Sequence, residues 1–256
     1  MLEIRNLQVC YSLKRGPERL SAVRDVSFSA REGEIVAVVG PSGCGKTSIL
    51  NVVAGLLPPE SGEVLLNGKP VRGPGKDRAL VFQEPCLLPW RTVAGNVAYG
   101  LEIGGMGKRP AMEKARPYLE LVGLGGFGDC FPSELSGGML QRANLARALA
   151  VEPGVLLLDE PLSALDAQSR EYMQTELQRI LTARNSTVVY VTHQISEAVF
   201  LADRVIVLSS RPGKVKEIVP VPLERPRPFG VQRTAEFREL EDRIWNLLEK
   251  PEFINL

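Results

Sequence analysis

The chain has 256 residues, 44% hydrophobic and 24% charged, which is enough to bury a sizeable core. Its 31 lysines and arginines nearly balance 30 acidic residues, so no overall basic field points to nucleic acid as a partner. Since no apolar run approaches the roughly 20 residues of a membrane-spanning helix and the first residues lack an export signal, we expect any membrane step to belong to another chain.

The first strong motif is GPSGCGKT at residues 40–47, which matches the phosphate-loop template G-x-x-x-x-G-K-[ST]. The apolar run before it, residues 35–39, predicts a buried strand, and the residues from Ser48 predict a helix that ends near Gly55. A phosphate would meet the N-terminus of that helix, where unpaired N–H groups and the helix dipole favour negative charge. A glycine turn between strand and helix is the structural alternative.

The residue types of this loop suit a nucleotide and its metal ion. Gly43 and Gly45 let the backbone come close to the phosphates, Lys46 supplies a charge for the β and γ phosphates, and the Thr47 hydroxyl is placed to hold Mg²⁺. The predicted nucleotide-binding residues here are Gly40, Pro41, Ser42, Gly43, Cys44, Gly45, Lys46, Thr47 and Ser48.

The four cysteines are too scattered for a metal site or a disulfide framework, and they fit a reducing cytoplasm. Cys44 lies inside the phosphate loop, where the helix N-terminus would lower its pKa and expose ATP binding to thiol reagents. Alternatively, Cys44 is only a small residue tolerated at a variable position.

Further along the chain, Asn67 and Gly68 predict a hairpin turn. From about residue 84 to 150, glycine-rich loops separate helical stretches, which indicates a helical lobe. Within that region LSGGM, residues 135–139, opens a helix, so its N-terminus is free to receive a second anion, although a flexible helix cap would also explain the glycines.

Strand and helix alternate again from residue 151 to about 215, which is typical of a parallel sheet. The apolar run at 155–158 ends in Asp159 and Glu160, and a β-branched run at 187–192 ends in His193, the only histidine. Because ligands of open α/β sheets bind at the carboxyl ends of strands, these three residues are candidates for the reaction site. Taken alone, His193 would be interpreted as a packing residue.

The order of these motifs resembles the ATP-binding subunits of ABC transporters over nearly the whole chain. The resemblance implies an α/β fold, with a P-loop NTPase core of mainly parallel sheet, an N-terminal antiparallel β region and an inserted helical lobe at about 84–150. The ATPase domain would span residues 1–220. Residues 221–256 would form a C-terminal extension, in which Phe237 begins an apolar helical face that packs on the core.

The resemblance also implies roles for individual residues. Tyr11 is similar to the aromatic that stacks on adenine, although a packing role is the alternative, and Gln83 to the glutamine that contacts Mg²⁺ and the attacking water. Asp159 would hold Mg²⁺ through water. Glu160 would orient or deprotonate the attacking water, and His193 would bind the γ phosphate and align Glu160.

The implied assembly is a head-to-tail dimer in which ATP on the phosphate loop of one copy is covered by the signature of the other. Ser136, Gly137 and Gly138 would contribute that cover, and SALD at residues 163–166, which includes Asp166, would contact the opposing subunit. Leu140 departs from the family pattern, where a polar residue commonly follows the signature, but Gln141 and the residue after it restore the pattern.

The expected partners are integral-membrane permease subunits and an extracytoplasmic substrate-binding protein, with this chain peripheral on the cytoplasmic face of the inner membrane. The segment LLPW, residues 87–90, is similar to the corresponding segment in the ATPases of importers of nitrate, sulfonates and taurine. A small anion is therefore the predicted cargo. An exporter ATPase would share every catalytic residue. A soluble ABC protein acting on nucleic acid would need a basic face, and a small-molecule kinase would leave LSGGM unexplained.

Overall fold

The computed structural model describes residues 1–12 and 19–248. These residues form two compact units, one from Met1–Gly75 and the described part of Leu177–Leu256, the other from Lys76–Glu176. In chain order the strands and helices are β1 (Leu2–Ser12), β2 (Arg19–Ala30), β3 (Ile35–Val39), α1 (Lys46–Ala54), β4 (Ser61–Leu66), β5 (Lys69–Pro70), β6 (Arg78–Val81), α2 (Val93–Ile103), α3 (Lys108–Leu121), α4 (Gly137–Ala150), β7 (Val155–Asp159), α5 (Ala167–Ala183), β8 (Thr187–Val191), α6 (Ile195–Leu201), β9 (Arg204–Leu208), β10 (Val215–Pro220) and α7 (Ala235–Leu248).

An antiparallel sheet in the order β2, β1, β4, β5 forms one layer of the first unit. Asn67 and Gly68 connect β4 to β5 with φ angles of 49° and 76°. A two-residue hairpin loop of type I′ requires positive φ at both central positions, and asparagine followed by glycine tolerates this best. The predicted hairpin is therefore confirmed.

A second sheet of this unit holds β8, β3 and β9 in parallel, with β10 antiparallel on β9. All five residues of β3 are buried, as are all five of β8. Strands covered on both faces need continuous apolar sequence, and that is why these two runs could be recognised as strands. The helix after β3 ends at Gly55 with φ of 79°, as predicted.

The second unit contains the parallel pair β6 and β7, and helices α2, α3 and α4 lie between these strands in the sequence. Buried Asn96 fixes the entry to α2, because its amide donates to the carbonyls of Leu88, Arg91 and Thr92 and accepts from the Leu88 N–H. The α/β class, the antiparallel N-terminal region and the helical insertion are thus confirmed.

The C-terminal segment returns to the first unit. Helix α7 buries Phe237 and Ile244 completely, while the Trp245 side chain stays exposed. Throughout residues 1–12 and 19–248, no helix combines the length and the apolar character that crossing a membrane requires.

Candidate functional site

The phosphate loop connects β3 to α1 and depends on its glycines. Gly45 is the N-cap of α1 with φ of 99°, and a Cβ atom there would lie 2.5 Å from Val23 Cγ2. Gly43 has φ of 74°, and a Cβ there would lie 2.7 Å from Arg211 Nη2. Within the described chain, no side chain caps this helix. The helix N-terminus is therefore available to an anion such as a phosphate.

Lys46 is folded onto the same loop. Its side chain is buried, and Nζ donates to the carbonyl of Gly40 at 2.8 Å and to that of Pro41 at 3.2 Å. Carbonyl acceptors compensate the buried charge. The ammonium group is therefore held at the loop, while the neighbouring Thr47 is exposed.

Cys44 corrects one expectation from the sequence. Its side chain is only 1% exposed, and burial raises the pKa of the thiol. The nearby charge of Lys46 and local hydrogen bonds lower it, but they do not compensate. The prediction of a lowered pKa and a reactive thiol was wrong, because desolvation of the thiolate outweighs the helix N-terminus. Cys44 is a small packing residue whose sulfur faces Gly40.

Tyr11 lies next to the first turn of α1. Its hydroxyl shares a 2.9 Å hydrogen bond with the Ser48 hydroxyl, and its side chain is 38% exposed. A flat aromatic surface beside the phosphate loop is available for stacking.

In the second unit, Gln83 and Glu160 lie together. Gln83 Nε2 donates to Glu160 Oε2 at 3.3 Å. Glu160 has φ of 45°, a left-handed conformation that is unfavourable for its side chain, and its carbonyl accepts from the Ser163 N–H at 3.1 Å and the Ser163 hydroxyl at 2.9 Å. Ser163 thus holds Glu160 in a strained conformation, of the kind that clusters at functional sites. Asp159, the last residue of β7, is 5% exposed.

The signature motif opens α4. The Ser136 hydroxyl caps this helix by accepting from the Met139 N–H at 3.4 Å, and a Cβ on Gly138 would lie 2.9 Å from Leu165 Cδ2. Asp166 caps α5 through its bond from the Ser169 N–H, which lowers the pKa of Asp166. The structure therefore brings together signature residues and Asp166 around an open cavity of about 520 Å³.

His193 is exposed just after β8. The residues around it are held firmly, since Glu197 Oε2 accepts from the Thr192 hydroxyl at 2.7 Å and from the Tyr190 hydroxyl at 2.9 Å. The Thr192 hydroxyl in turn accepts from the Gln194 N–H at 3.0 Å.

Two residues that support the phosphate loop and the segment at His193 were not predicted from the sequence. Arg211 Nε donates to the Gly43 carbonyl at 2.9 Å, so this side chain supports the phosphate loop from a turn far along the chain. Glu197, whose carboxylate accepts from the Thr192 hydroxyl just before His193, was also not predicted to have a role. Neither residue belongs to a recognisable motif, because each acts through a partner that folding brings close.

The predicted Mg²⁺ donors fit the preference of this ion. The hydroxyl of Thr47, the amide oxygen of Gln83 and the carboxylate of Asp159 are hard oxygen ligands. The described part of the chain holds no cluster of three or more His, Cys, Asp or Glu residues suited to a metal.

The buried strand β3, the glycine loop with Lys46 and helix α1 define a P-loop nucleotide-binding protein. The sequence pattern of the ABC transporter family matches residues 23–163, more than half of the chain. This chain therefore belongs to the ABC transporter family, and it is the subunit that binds and hydrolyses ATP.

Sequence relatives agree over most of the chain. An uncharacterized ABC transporter ATP-binding protein of Methanocaldococcus jannaschii is 47% identical over 249 residues, 97% of this chain and 91% of that protein. The taurine import ATP-binding protein of Burkholderia pseudomallei is 48% identical over 211 residues, 82% of this chain and 80% of its own length.

Solved structures confirm the fold. A dimeric ATP-binding cassette described as a post-hydrolysis state bound to ADP and Pi matches with a TM-score of 0.78 and 31% identity. A second dimeric structure of a bacterial ABC transporter cassette matches with a TM-score of 0.79 and the same identity. Each comparison covers 88% of this chain and 100% of the other.

Proposed function

We propose that this chain drives a membrane importer of taurine, another sulfonate, nitrate or a related small anion. The observation that carries this proposal is the similarity to taurine import ATP-binding proteins, 48% over 82% of the chain in Burkholderia pseudomallei and 39% over 96% in Pelagibacter ubique. The LLPW segment at residues 87–90 supports the same subfamily. The ATPase domain in this proposal spans residues 1–220, followed by the extension 221–256.

The proposed chemistry assigns a role to each site residue. Lys46 and the N-terminus of α1 bind the phosphates, and Tyr11 stacks on the adenine. Glu160 orients the attacking water and accepts its proton, and Gln83, which already contacts Glu160, helps to place that water. His193 donates a hydrogen bond to the γ phosphate.

Bound Mg²⁺ would neutralise charge that develops on the β and γ phosphates. Thr47, Gln83 and Asp159 are the residues that we propose to hold it. Their oxygen donors are of the type this ion prefers.

We further propose that two copies assemble head to tail, each covering the nucleotide of the other. The dimeric state of both matched cassettes supports this. So does the open space at the signature, since a Cβ placed on Gly137 would have no described heavy atom within 4 Å apart from its chain neighbours and the nearby backbone of α4. A second copy's phosphate can approach the N-terminus of α4 there, with Ser136, Gly138 and Asp166 beside it.

The permease is proposed to dock on the second unit. Trp90 is 72% exposed there, and exposed aromatic side chains are typical anchors of protein interfaces. The same unit has a cleft of about 350 Å³ between α3 and the glycine-rich loop that follows it, where Met112 and Leu119 lie among the charges of Arg116 and Glu120. In this proposal the chain lies on the cytoplasmic face of the inner membrane, and an extracytoplasmic binding protein delivers the anion.

The importer proposal is tested by reconstituting this chain in liposomes with the permease encoded beside it and the corresponding binding protein. We expect uptake of labelled taurine or nitrate that requires ATP on the side of this chain, and ATP hydrolysis that loaded binding protein stimulates. Transport in the opposite direction without a binding protein would instead identify an exporter.

The dimer is tested by the rate per chain as protein concentration changes. If each site needs two copies, the rate per chain falls on dilution, and Glu160→Gln with ATP elutes as a dimer because hydrolysis is slowed by about 10² to 10⁴. A rate per chain that stays constant at high dilution would overturn the composite site.

A further inference from the structure

The short helix α6 follows His193 directly. It spans only Ile195–Leu201, about two turns, and a helix of this length is not stable by itself in water. Its position therefore depends on tertiary contacts, which are the buried apolar residues 198–201 and the polar contacts at its two ends. At the first end, Glu197 accepts hydrogen bonds from the hydroxyls of Thr192 and Tyr190, which ties the helix to β8 across His193.

Arg227 holds the other end of α6. The Arg227 residue is only 2% exposed, and Nη1 donates to the carbonyls of Val199 at 2.8 Å, Phe200 at 2.9 Å and Ala202 at 2.9 Å. Carbonyls of the last helical turn lack partners within the helix, and a positive charge at this end is favourable. Although burial lowers the pKa of Arg227 to about 10, the guanidinium stays charged at neutral pH.

Arg227 is itself well anchored. Its Nε and Nη2 donate to the Leu223 carbonyl at 3.0 and 2.7 Å, and its backbone N–H donates to Gln178 Oε1. Gln178 Nε2 also donates to the Phe200 carbonyl at 3.1 Å. Phe229, two residues after Arg227, packs on Phe200 with ring centroids 5.9 Å apart. The end of α6 is thus held by polar and apolar contacts from residues 227–229 and from Gln178 of α5.

The same C-terminal segment also meets the beginning of α6. Glu241 and Trp245 of α7 line an open cleft of about 550 Å³ together with His193 and Gln194. Residues of the segment 221–248 therefore lie beside both ends of α6, the helix that follows His193.

We propose that Arg227 is a positioning residue for ATP hydrolysis, which fixes the end of α6 and thereby holds His193 in its working place. This rests on the proposed role of His193 at the γ phosphate. The C-terminal extension then contributes to the reaction rate without contacting the nucleotide. A small displacement of a catalytic group by a distant substitution is enough to slow a reaction substantially.

The test compares Arg227→Gln with Arg225→Gln. Arg225 belongs to the same segment and is also largely buried, but it pairs with Asp203 at 2.9 and 3.0 Å and donates to the Gly33 carbonyl, so it is a matched control. We expect Arg227→Gln to lower kcat about 10- to 100-fold while KM and the Kd for ATP change less than about twofold. Arg225→Gln should keep its kcat once rates are corrected for the folded fraction, measured by circular dichroism.

Arg227→Lys keeps a positive charge but has fewer N–H donors in fixed directions, so we expect a kcat between those of wild type and Arg227→Gln. If Arg227→Gln does not fold, kcat is measured in Arg227→Lys instead. The double variant Arg227→Gln with His193→Ala should be no slower than His193→Ala alone, because both changes remove the contribution of the same group, the His193 side chain. The positioning role would be overturned if the two losses of kcat multiplied in the double variant. It would also be overturned if Arg225→Gln lost as much kcat as Arg227→Gln.

The two proposals fail in different ways. A full rate in His193→Ala alone would remove the proposed role of His193, and the positioning role with it. A slow His193→Ala together with a full rate in Arg227→Gln would overturn only the positioning role of Arg227.

Discussion

Gln83 Nε2 donates a 3.3 Å hydrogen bond to Glu160 Oε2, so the amide and the carboxylate proposed to handle the attacking water are in direct contact. If the two side chains place one water together, their substitutions should not be additive. We expect Gln83→Ala to slow ATP hydrolysis, and the double variant with Glu160→Gln to be about as slow as Glu160→Gln alone. The rate of phosphate release at saturating ATP measures hydrolysis in the single and double variants, and their affinity for ATP is the control. Losses that multiply would show that the residues act independently.

Tyr11 gives a prediction about affinity. Replacing it with alanine removes the stacking surface and should weaken ATP binding by roughly 1–3 kcal/mol, or about 5- to 150-fold, with little change in the rate of the bound state. Tyr11→Phe keeps the ring and loses only the bond to Ser48, so its affinity should stay closer to wild type. Equilibrium binding of a fluorescent ATP analogue measures both. Equal losses in the two variants would assign the effect to the hydroxyl and exclude stacking.

Gly45 gives a prediction about the phosphate loop. In Gly45→Ala, the new Cβ would lie 2.5 Å from Val23 Cγ2 and 2.9 Å from the Ala22 carbonyl, in addition to the backbone strain at φ of 99°. Gly68→Ala is the matched control, because its φ is 76° but, beyond its two chain neighbours, no described heavy atom lies within 4 Å of the added Cβ. The control should lose about 1–2 kcal/mol of stability from backbone strain alone.

Gly45→Ala should lose more stability than this control, and its ATP affinity should fall well beyond that of Gly68→Ala. Thermal unfolding and calorimetric ATP titration measure the two effects. A Gly45→Ala protein that matches Gly68→Ala in both would show that the loop tolerates a side chain at this position.

Glu34 gives a prediction about pH. Burial alone would raise the pKa of Glu34, but hydrogen bonds from Arg204 at 2.6 and 3.0 Å and from the Arg31 N–H at 2.7 Å outweigh it and lower that pKa. A carboxyl group with a lowered pKa stabilises the fold above its unfolded pKa of about 4.3, and this contribution is lost as the pH falls through the folded value.

Glu34→Gln should therefore reduce the free energy of unfolding by about 1.5–3 kcal/mol at pH 7. The difference from wild type should shrink as the pH falls below about 4.3. Urea unfolding at several pH values measures this difference. A difference that stays constant down to acid pH would exclude ionisation of Glu34 as its cause.

The elements that could be predicted from the sequence are those that depend on neighbours along the chain. β3, the loop after it and the end of α1 at Gly55 follow from an apolar run, two positive-φ glycines and a helix stop. The hairpin at Asn67 and Gly68 follows for the same reason, because local backbone sterics alone select these residues.

Burial could not be predicted in this way. Cys44 was expected to have a lowered pKa, because a helix N-terminus is visible in the sequence, whereas the desolvation that raises that pKa comes from packing. Likewise, nothing near Arg227 in the sequence indicates that it reaches three carbonyls of α6.

The sequence by itself therefore determined the phosphate loop, the signature and the family, since these rest on short segments whose residue types and spacing are fixed by backbone geometry and phosphate chemistry. Tertiary structure alone decided the contact between Gln83 and Glu160 and the burial of Cys44. It also decided the hydrogen bonds from Arg227 to α6, the helix that follows His193. The physical reason is that hydrogen bonding and desolvation act over a few ångströms in space, and residues distant in sequence reach those distances only when the chain folds.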